Sequence, residues 1–160
     1  MFNKILVGID GSPHGTKALE TAIHLAEQFK ADLQVFHAIK HHFHLPLFPL
    51  YPNMAFQMAS GVDLNDETLQ ALYEAAGKQI IEAAQQHVEE MGVTLEGALD
   101  FHLETDLPPS EYAEMAAREM GFDLIVLGCV GHHSGPKVAL LGTIASKILN
   151  NAPCQVLIVR

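Results

Sequence analysis

The sequence predicts an α/β fold: a single-domain, open, mainly parallel sheet of five strands with helices on both faces. Three observations carry this. Short apolar runs alternate along the chain with stretches of helical periodicity, the order that builds strand–helix–strand crossovers. The apolar runs are nearly unbroken, as strands covered on both faces require. The 160 residues, 49% of them hydrophobic, suffice for one domain with a core on each side of a sheet.

Each element follows from local signals. The first strand is "KILVGI", Lys4 to Ile9. Ser12 and Pro13 then supply an N-cap and a first helical residue, with Ala18, Ala22, Leu25 and Phe29 recurring at helical spacing behind Lys17, Glu20 and Glu27. "DLQVFHAI", Asp32 to Ile39, is the second strand. Leu69, Leu72, Ala76, Ile80, Ala83 and His87 trace one face of a long helix that stops near Gly92. "VTLEGALDFHL", from Val93, is a third and more polar strand. Pro108, Pro109 and Ser110 open a helix carrying Tyr112, Met115, Ala116 and Glu119, which Gly121 closes. "DLIVLG", from Asp123, is the fourth strand, Thr143 to Asn150 a short helix, and "CQVLIVR" the fifth strand. Crossovers between parallel strands are right-handed. No repeat or second domain is detectable, so residues 1–160 read as one domain.

One segment, residues 40–64, breaks the rhythm as a Pro/His-rich insertion. Its "KHHFHLPLFPLYPNMAFQMASG" holds three prolines, four aromatics and three of the ten histidines, too much for a plain connection. Such a segment suits a lid, a partner surface or a metal site at His41, His42 and His44. No carboxylate or cysteine flanks these histidines at ligand spacing, which favours a loop packing its aromatics on the domain.

Charge and composition exclude several function classes. Nine Lys and Arg against nineteen Asp and Glu leave a net charge of −10, which repels nucleic acid and anionic lipid in the absence of a basic patch. No apolar run is long enough to insert in a membrane, and "MFNKILVGID" enters a strand directly, without a leader. Cys129 and Cys154 lack CxxC spacing and adjoin apolar runs, so buried free thiols in a reducing, cytoplasmic compartment are expected.

In an open parallel sheet, ligands bind beyond the carboxyl ends of the strands, where strand order reverses. Asp10 ends the first strand, His37 and Ala38 lie near the end of the second, and Gly128 ends the fourth. After Gly128 comes "GCVGHHSGPKVALLGT", four glycines and a histidine pair before a helix start. A helix beginning after Gly142 aims free N–H groups and a positive dipole end at an anion, with phosphate the obvious candidate and Thr143 a hydroxyl donor. The competing reading is that Gly142 and Thr143 merely cap a helix and that Asp10 is a turn residue. His132 and His133 are either phosphate-facing donors or solvated loop residues. The GxxxxGK[ST] and GxGxxG patterns are absent. "GIDGSPHGTKAL" shares Asp10, His14 and Gly15 with the HxGH region of nucleotidyl-transferring enzymes but lacks the second histidine.

The strand ending in Asp10 before Gly11 and Ser12, "DLIVLG", the glycine stretch and the terminal "APCQVLIVR" together resemble the universal stress protein (UspA) superfamily. The ATP-binding branch of that family carries G-x2-G-x9-G-[ST], and Gly128, Gly131, Gly142 and Thr143 match its four anchors. The sequence departs from the pattern by one residue: ten, His132 to Leu141, lie between Gly131 and Gly142. The resemblance implies a Rossmann-like, adenine nucleotide alpha hydrolase-like fold with strand order 3-2-1-4-5. It also implies a site for ATP, or AMP or ADP. Gly8, Ile9 and Asp10 would meet the adenosine, the Ala38 backbone the adenine, and Leu127 and Gly128 the ribose. Gly131, Gly142, Thr143, Ile144 and Ala145 would surround the phosphates, with Mg2+ or Mn2+ bridging phosphate oxygens. A homodimer joined through the last strand is implied as well, and an edge strand with unpaired N–H and C=O groups would suit one.

No side chain offers itself as a general base at the phosphate end. The sequence therefore reads as a nucleotide-responsive regulator in stress response, acting on a protein partner such as a transporter, with slow ATP hydrolysis left open. The alternatives are a nucleotide-free interaction module of the same fold and an adenylyl transferase.

Overall fold

The apolar runs become five strands: β1 (Lys4–Gly8), β2 (Asp32–Ala38), β3 (Leu99–Glu104), β4 (Leu124–Gly128) and β5 (Gln155–Val159). Every pairing is parallel and the order is β3-β2-β1-β4-β5, as the family resemblance implies. Four helices, α1 (Pro13–Phe29), α2 (Asp66–Met91), α3 (Pro109–Glu119) and α4 (Thr143–Asn151), alternate with them. The computed structural model describes residues 1–40, 66–129 and 141–160. The histidines at 41, 42 and 44, nearly all of the 40–64 insertion, Gly131, His132 and His133 lie outside the described residues.

Strand alternation sorts the core into two layers. Ile5, Val7, Leu33, Val35, Leu124 and Val126 face α1 and α2, whereas Leu6, Phe36, Ile125 and Leu127 face α3 and α4. Ile5, Leu6, Val7, Ile125 and Val126 are all 0% exposed. Each such side chain contributes about 1.5–3 kcal/mol through burial, so the central pair β1 and β4 is the most firmly determined part of the sheet. The two layers also fix the topology. The chain leaves β1 towards α1 on one face, and its later crossovers, after β3, use the other face. Strand order therefore reverses between β1 and β4, the place where such sheets leave a crevice.

Several local expectations shift by a residue or more. β1 ends at Gly8 rather than Ile9, although the Ile9 N–H still reaches the Phe36 carbonyl at 3.0 Å. β4 begins at Leu124 because the Asp123 carboxylate turns to the start of β1, accepting the Asn3 N–H at 2.9 Å and the Lys4 N–H at 3.2 Å. β3 begins at Leu99, not Val93, since its partner β2 starts only at Asp32 and the register sets Leu33 opposite Leu99. The chain before it lies flush on the neighbouring backbone: a Cβ on Gly97 would stand 2.3 Å from the Ala31 carbonyl oxygen.

The start of α1 and the ends of α2 and α3 fall where the sequence signals them. Ser12 caps α1, its Oγ accepting the Gly15 N–H at 3.0 Å. Gly92 and Gly121, just beyond α2 and α3, adopt φ of +63° and +77°, which glycine tolerates and other residues resist. The inward stripes are rotated from those expected. α1 buries Ala18, Leu19, Ala22, Ile23 and Ala26, leaving Leu25 half-buried and Phe29 exposed beside Phe2. α2 buries Tyr73, Ala76, Ile81, Ala84 and Val88, with Ile80 and His87 at the flank. Ala18, Ala22 and Ala76 lie inward as expected, and the buried face extends from them to Leu19 and Ile23 in α1 and to Tyr73, Ile81 and Val88 in α2. Cys129 is buried, but Cys154 is only half-buried, and both thiols are free.

Candidate functional site

The carboxyl ends of β1, β2 and β4 stand level, because Gly8 pairs with Phe36 on one side and Leu127 on the other. Gly8 is tightly enclosed: a Cβ there would come within 2.9 Å of Leu127 Cδ2 and 3.1 Å of Phe36 Cε1. Beyond β1 the chain turns sharply through Gly11, at φ +74°, into α1. Asp10 shapes this turn. Its Oδ1 accepts the Ser12 N–H at 3.0 Å, and a Cβ on Gly15 would lie 2.8 Å from that same oxygen. The turn role weighed for Asp10 in the sequence is therefore formed, by a residue that also stands at the end of β1.

The first turn of α1 then crosses over the end of β4. A Cβ on Gly128 would stand 2.8 Å from the His14 carbonyl carbon and 2.9 Å from the His14 Cβ and oxygen. Only glycine allows this approach. It brings the Asp10 turn and the end of β4 together across the crevice. His14 is half-buried, and it meets Gly128 through its carbonyl group and Cβ.

On the far side of the crevice, Cys129 fastens three elements through its backbone. Its N–H donates to the Val159 carbonyl at 2.8 Å, extending the pairing of β4 with β5, and its carbonyl accepts the Gly142 N–H at 2.8 Å. Gly142, the N-cap of α4, is thereby held beside the end of β4. Among the described residues no side chain caps α4, unlike α1, and the N–H groups of its first turn, on Thr143, Ile144 and Ala145, have no intrahelical acceptor. Thr143 is exposed, Ile144 half-buried, and Ala145 packs into the core with Ile148. Of the residues singled out in the sequence, Gly8, Ile9, Asp10, Leu127, Gly128, Gly142, Thr143, Ile144 and Ala145 thus share one edge of the sheet. Ala38 ends β2 on the same edge. Cys129 was read in the sequence only as a buried thiol, and no residue-type signal marks its backbone role.

A second residue, placed by the sequence only near the end of β2 and given no role there, lies below this edge. His37 is 2% exposed, and its Nδ1 lies 2.8 Å from the Ile9 carbonyl. Burial pushes the imidazole below the usual value of 6.5, outweighing the opposing effects of the Ile9 hydrogen bond and the nearby Asp10 charge. On the β2–β3 side, Glu104 is buried at 7% exposure. Burial would raise its carboxyl, but hydrogen bonds from His102 and from the Leu107 and Asp106 N–H groups hold it below its usual 4.5. Both groups act in the same direction on stability. In each case the unfolded chain binds the proton more readily, so stability is complete above the unfolded pKa and declines as pH falls. Denaturation midpoints measured by urea titration should therefore drop as pH falls below about 6.5, and drop further below about 4.5 as Glu104 protonates. A midpoint constant from pH 7 down to 4 would contradict this.

Among the described residues no helix is long and apolar enough to cross a membrane, and no group of three or more His, Cys, Asp or Glu side chains could hold a metal ion.

Comparison with known proteins places this geometry. The family model described as "Universal stress protein family" matches residues 1–160. The universal stress protein YxiE of Bacillus subtilis is 32% identical over 161 aligned positions, covering 100% of both chains. Among solved structures, the chain is similar to universal stress protein UspA from Lactobacillus plantarum, with a TM-score of 0.76 at 24% identity over 99% of this chain and 98% of that one. It also has the fold of a universal stress protein in complex with cAMP (TM-score 0.61, 22% identity, 99% and 97% covered). A third neighbour is the universal stress protein from Archaeoglobus fulgidus in complex with dAMP (TM-score 0.63, 17% identity, 99% and 98% covered). With a family match over residues 1–160 and 32% identity to a relative over the whole of both chains, the chain belongs to the universal stress protein family.

Proposed function

We propose that this protein binds an adenine nucleotide, ATP or its products ADP and AMP, in the crevice between β1 and β4, and that occupancy regulates a protein partner in stress response. The observation that carries the reading is the approach of His14 to Gly128 opposite the uncapped start of α4, itself tied to β4 through Cys129. The residues suit such a ligand. A nucleoside needs a shallow edge between strand ends, which Gly8, Ile9, Asp10, Ala38, Leu127 and Gly128 supply. Phosphates need N–H donors without a backbone acceptor, which Thr143, Ile144 and Ala145 supply at a helix N-terminus, where the dipole also favours negative charge; Gly142, whose own N–H is held by the Cys129 carbonyl, would let a phosphate approach the helix start closely. Gly131 belongs to this set through the G-x2-G-x9-G-[ST] pattern. Two relatives of the same fold are complexes with cAMP and dAMP, both adenine nucleotides.

Mg2+ or Mn2+ would be held by phosphate oxygens rather than by a protein ligand set, and would neutralise the charge gathered at the start of α4. β5 is an edge strand of the described sheet, and pairing of two copies along it would give the homodimer. A cytoplasmic setting accords with two free thiols.

Mass spectrometry of the denatured purified protein should reveal co-purifying ATP, ADP or AMP, and calorimetry should show ATP binding with Mg2+ present. No binding under those conditions overturns the proposal. Sustained release of phosphate or pyrophosphate in the same mixture would instead identify an enzyme.

A further inference from the structure

Strand alternation turns His37 towards the α2 side of the sheet, into an apolar layer, whereas its neighbours Phe36 and Ala38 belong to the opposite layer. Gly77 of α2 presses on this spot. A Cβ there would come within 2.7 Å of Ile39 Cγ2 and Leu103 Cδ1 and 3.4 Å of His37 Cδ2. An imidazole at 2% exposure in such surroundings loses its hydration and must recover it through hydrogen bonds. The bond to Ile9 does so in a way that fixes the tautomer. A backbone carbonyl can only accept, so Nδ1 carries the hydrogen and donates it over 2.8 Å, and in the neutral ring Nε2 is left as an acceptor.

The acceptor matters more than the donor. Ile9 lies one residue past the end of β1, where the regular ladder has stopped. Its N–H is held by the Phe36 carbonyl at 3.0 Å and its C=O by His37, so β2 grips both polar groups of this residue. That carbonyl belongs to the peptide joining Ile9 to Asp10. Fixing its plane sets the direction in which Asp10 leaves the strand. Asp10 Oδ1 in turn takes the Ser12 N–H, and Ser12 caps α1. The chain of contacts runs from a buried side chain to the turn that walls one side of the crevice.

We propose that His37 is a positioning residue for the nucleoside end of the site: its Nδ1–H holds the Ile9 carbonyl and thereby aims Asp10 and the β1–α1 turn. This rests on the nucleotide-binding reading above. Three variants separate the role from mere filling of the core. In His37→Asn the side-chain amide places a donor near the position of Nδ1; His37→Leu has none; His37→Gln carries its donor farther out, towards the position of Nε2. ATP affinity measured by calorimetry should stay within about threefold of the parent for His37→Asn and weaken by about tenfold or more for His37→Leu, about 1.4 kcal/mol per decade. If His37→Leu fails to fold by circular dichroism, His37→Gln takes its place in the comparison. Equal affinity across the folded variants overturns the proposal, and so does an equal loss in His37→Asn and the donor-less variant.

Two readouts do not depend on the nucleotide. Long-range proton–nitrogen correlation spectra of the parent should show His37 as the Nδ1–H tautomer, and an Nε2–H pattern overturns the proposal outright. Amide exchange over Gly11 to Gly15 should quicken in His37→Leu and not in His37→Asn. A parent that binds no ATP yet shows the Nδ1–H tautomer and this exchange pattern would sink the nucleotide reading while leaving His37 as the residue that aims the turn.

Discussion

Replacing Gly128 by alanine should cost about 1–3 kcal/mol of stability, the range for forcing an atom into a packed contact, and weaken nucleotide binding by roughly tenfold or more. The first effect follows from three atoms of His14 lying 2.8–2.9 Å from where the methyl group would stand. Two of them are backbone atoms in the first turn of a helix, which cannot swing aside as a side-chain tip would. Relief has to come from moving the start of α1 away from the end of β4, and that movement opens the crevice. The cause is collision alone, because Gly128 occupies β4 with ordinary extended backbone. Gly121 is the control: nothing lies within 4 Å of its absent Cβ, but its φ is +77°, so Gly121→Ala should lower stability through strain without touching nucleotide affinity. Urea unfolding and ATP calorimetry on both variants check the pair. A Gly128→Ala protein with parental stability and affinity would mean that the helix start is not pinned there.

Replacing Phe36 by alanine should be the more damaging change to stability, by about 3–5 kcal/mol out of the roughly 5–15 kcal/mol typical of a folded domain. The ring is 1% exposed and packs against Tyr112 with centroids 4.9 Å apart. The surroundings are poorly placed to refill the space. Tyr112 is the natural candidate to tilt inward, but its hydroxyl donates to Gln34 Oε1 at 2.7 Å, and Gln34 in turn holds Asp100 at 2.6 Å. Burial, together with the charges of Glu104 and Asp100, pushes the Tyr112 hydroxyl up to about 12, so it stays a neutral donor across the working pH range. The void would open beside Gly8, since Phe36 is one of the two side chains closing over that residue. A loss below about 1 kcal/mol in urea unfolding would show that the layer collapses onto the gap.

Much of this architecture can be read from residue types. "KILVGI" and "DLIVLG" are apolar without interruption because β1 and β4 are covered on both faces, and they became the central strands. Ser12 before Pro13 marks the start of α1 through chemistry that only a few side chains possess, and the cap is formed. What escaped sequence reading has a common physical character. The apolar pattern of α2 admits two overlapping faces: Ala76, on the expected one, is buried, but the helix turns Tyr73, Ile81, Ala84 and Val88 inward and leaves Ile80 and His87 at the flank. The end of α1 is similar: Lys30 takes the left-handed conformation, φ 55° and ψ 38°, where a glycine would have announced it. Backbone hydrogen bonds are blind to side-chain identity, and for that reason Cys129 was invisible as the tie between β4, β5 and α4. His37 was noticed only for its place near a strand end, because its partner, the Ile9 carbonyl, lies 28 positions away in the chain. Gly128, Gly142 and Thr143 stand out in the sequence because the family pattern includes them, and Gly8 and Asp10 because they close the first strand; the fold brings all five to one edge.

The tie at Cys129 has a meaning for how such a protein can change over evolutionary time. Holding residue 142 to residue 129 by a backbone bond makes the connection between them a closed handle, with both ends fixed independently of what lies along it. Lengthening a closed loop by one residue adds only a small entropic increment, far below about 0.6 kcal/mol. The ten residues between Gly131 and Gly142, against the nine of the family pattern, are therefore a change that the scaffold can absorb without re-registering β4, β5 or α4. The anchorage of β4, β5 and α4 thus does not depend on the length of the chain between residues 129 and 142.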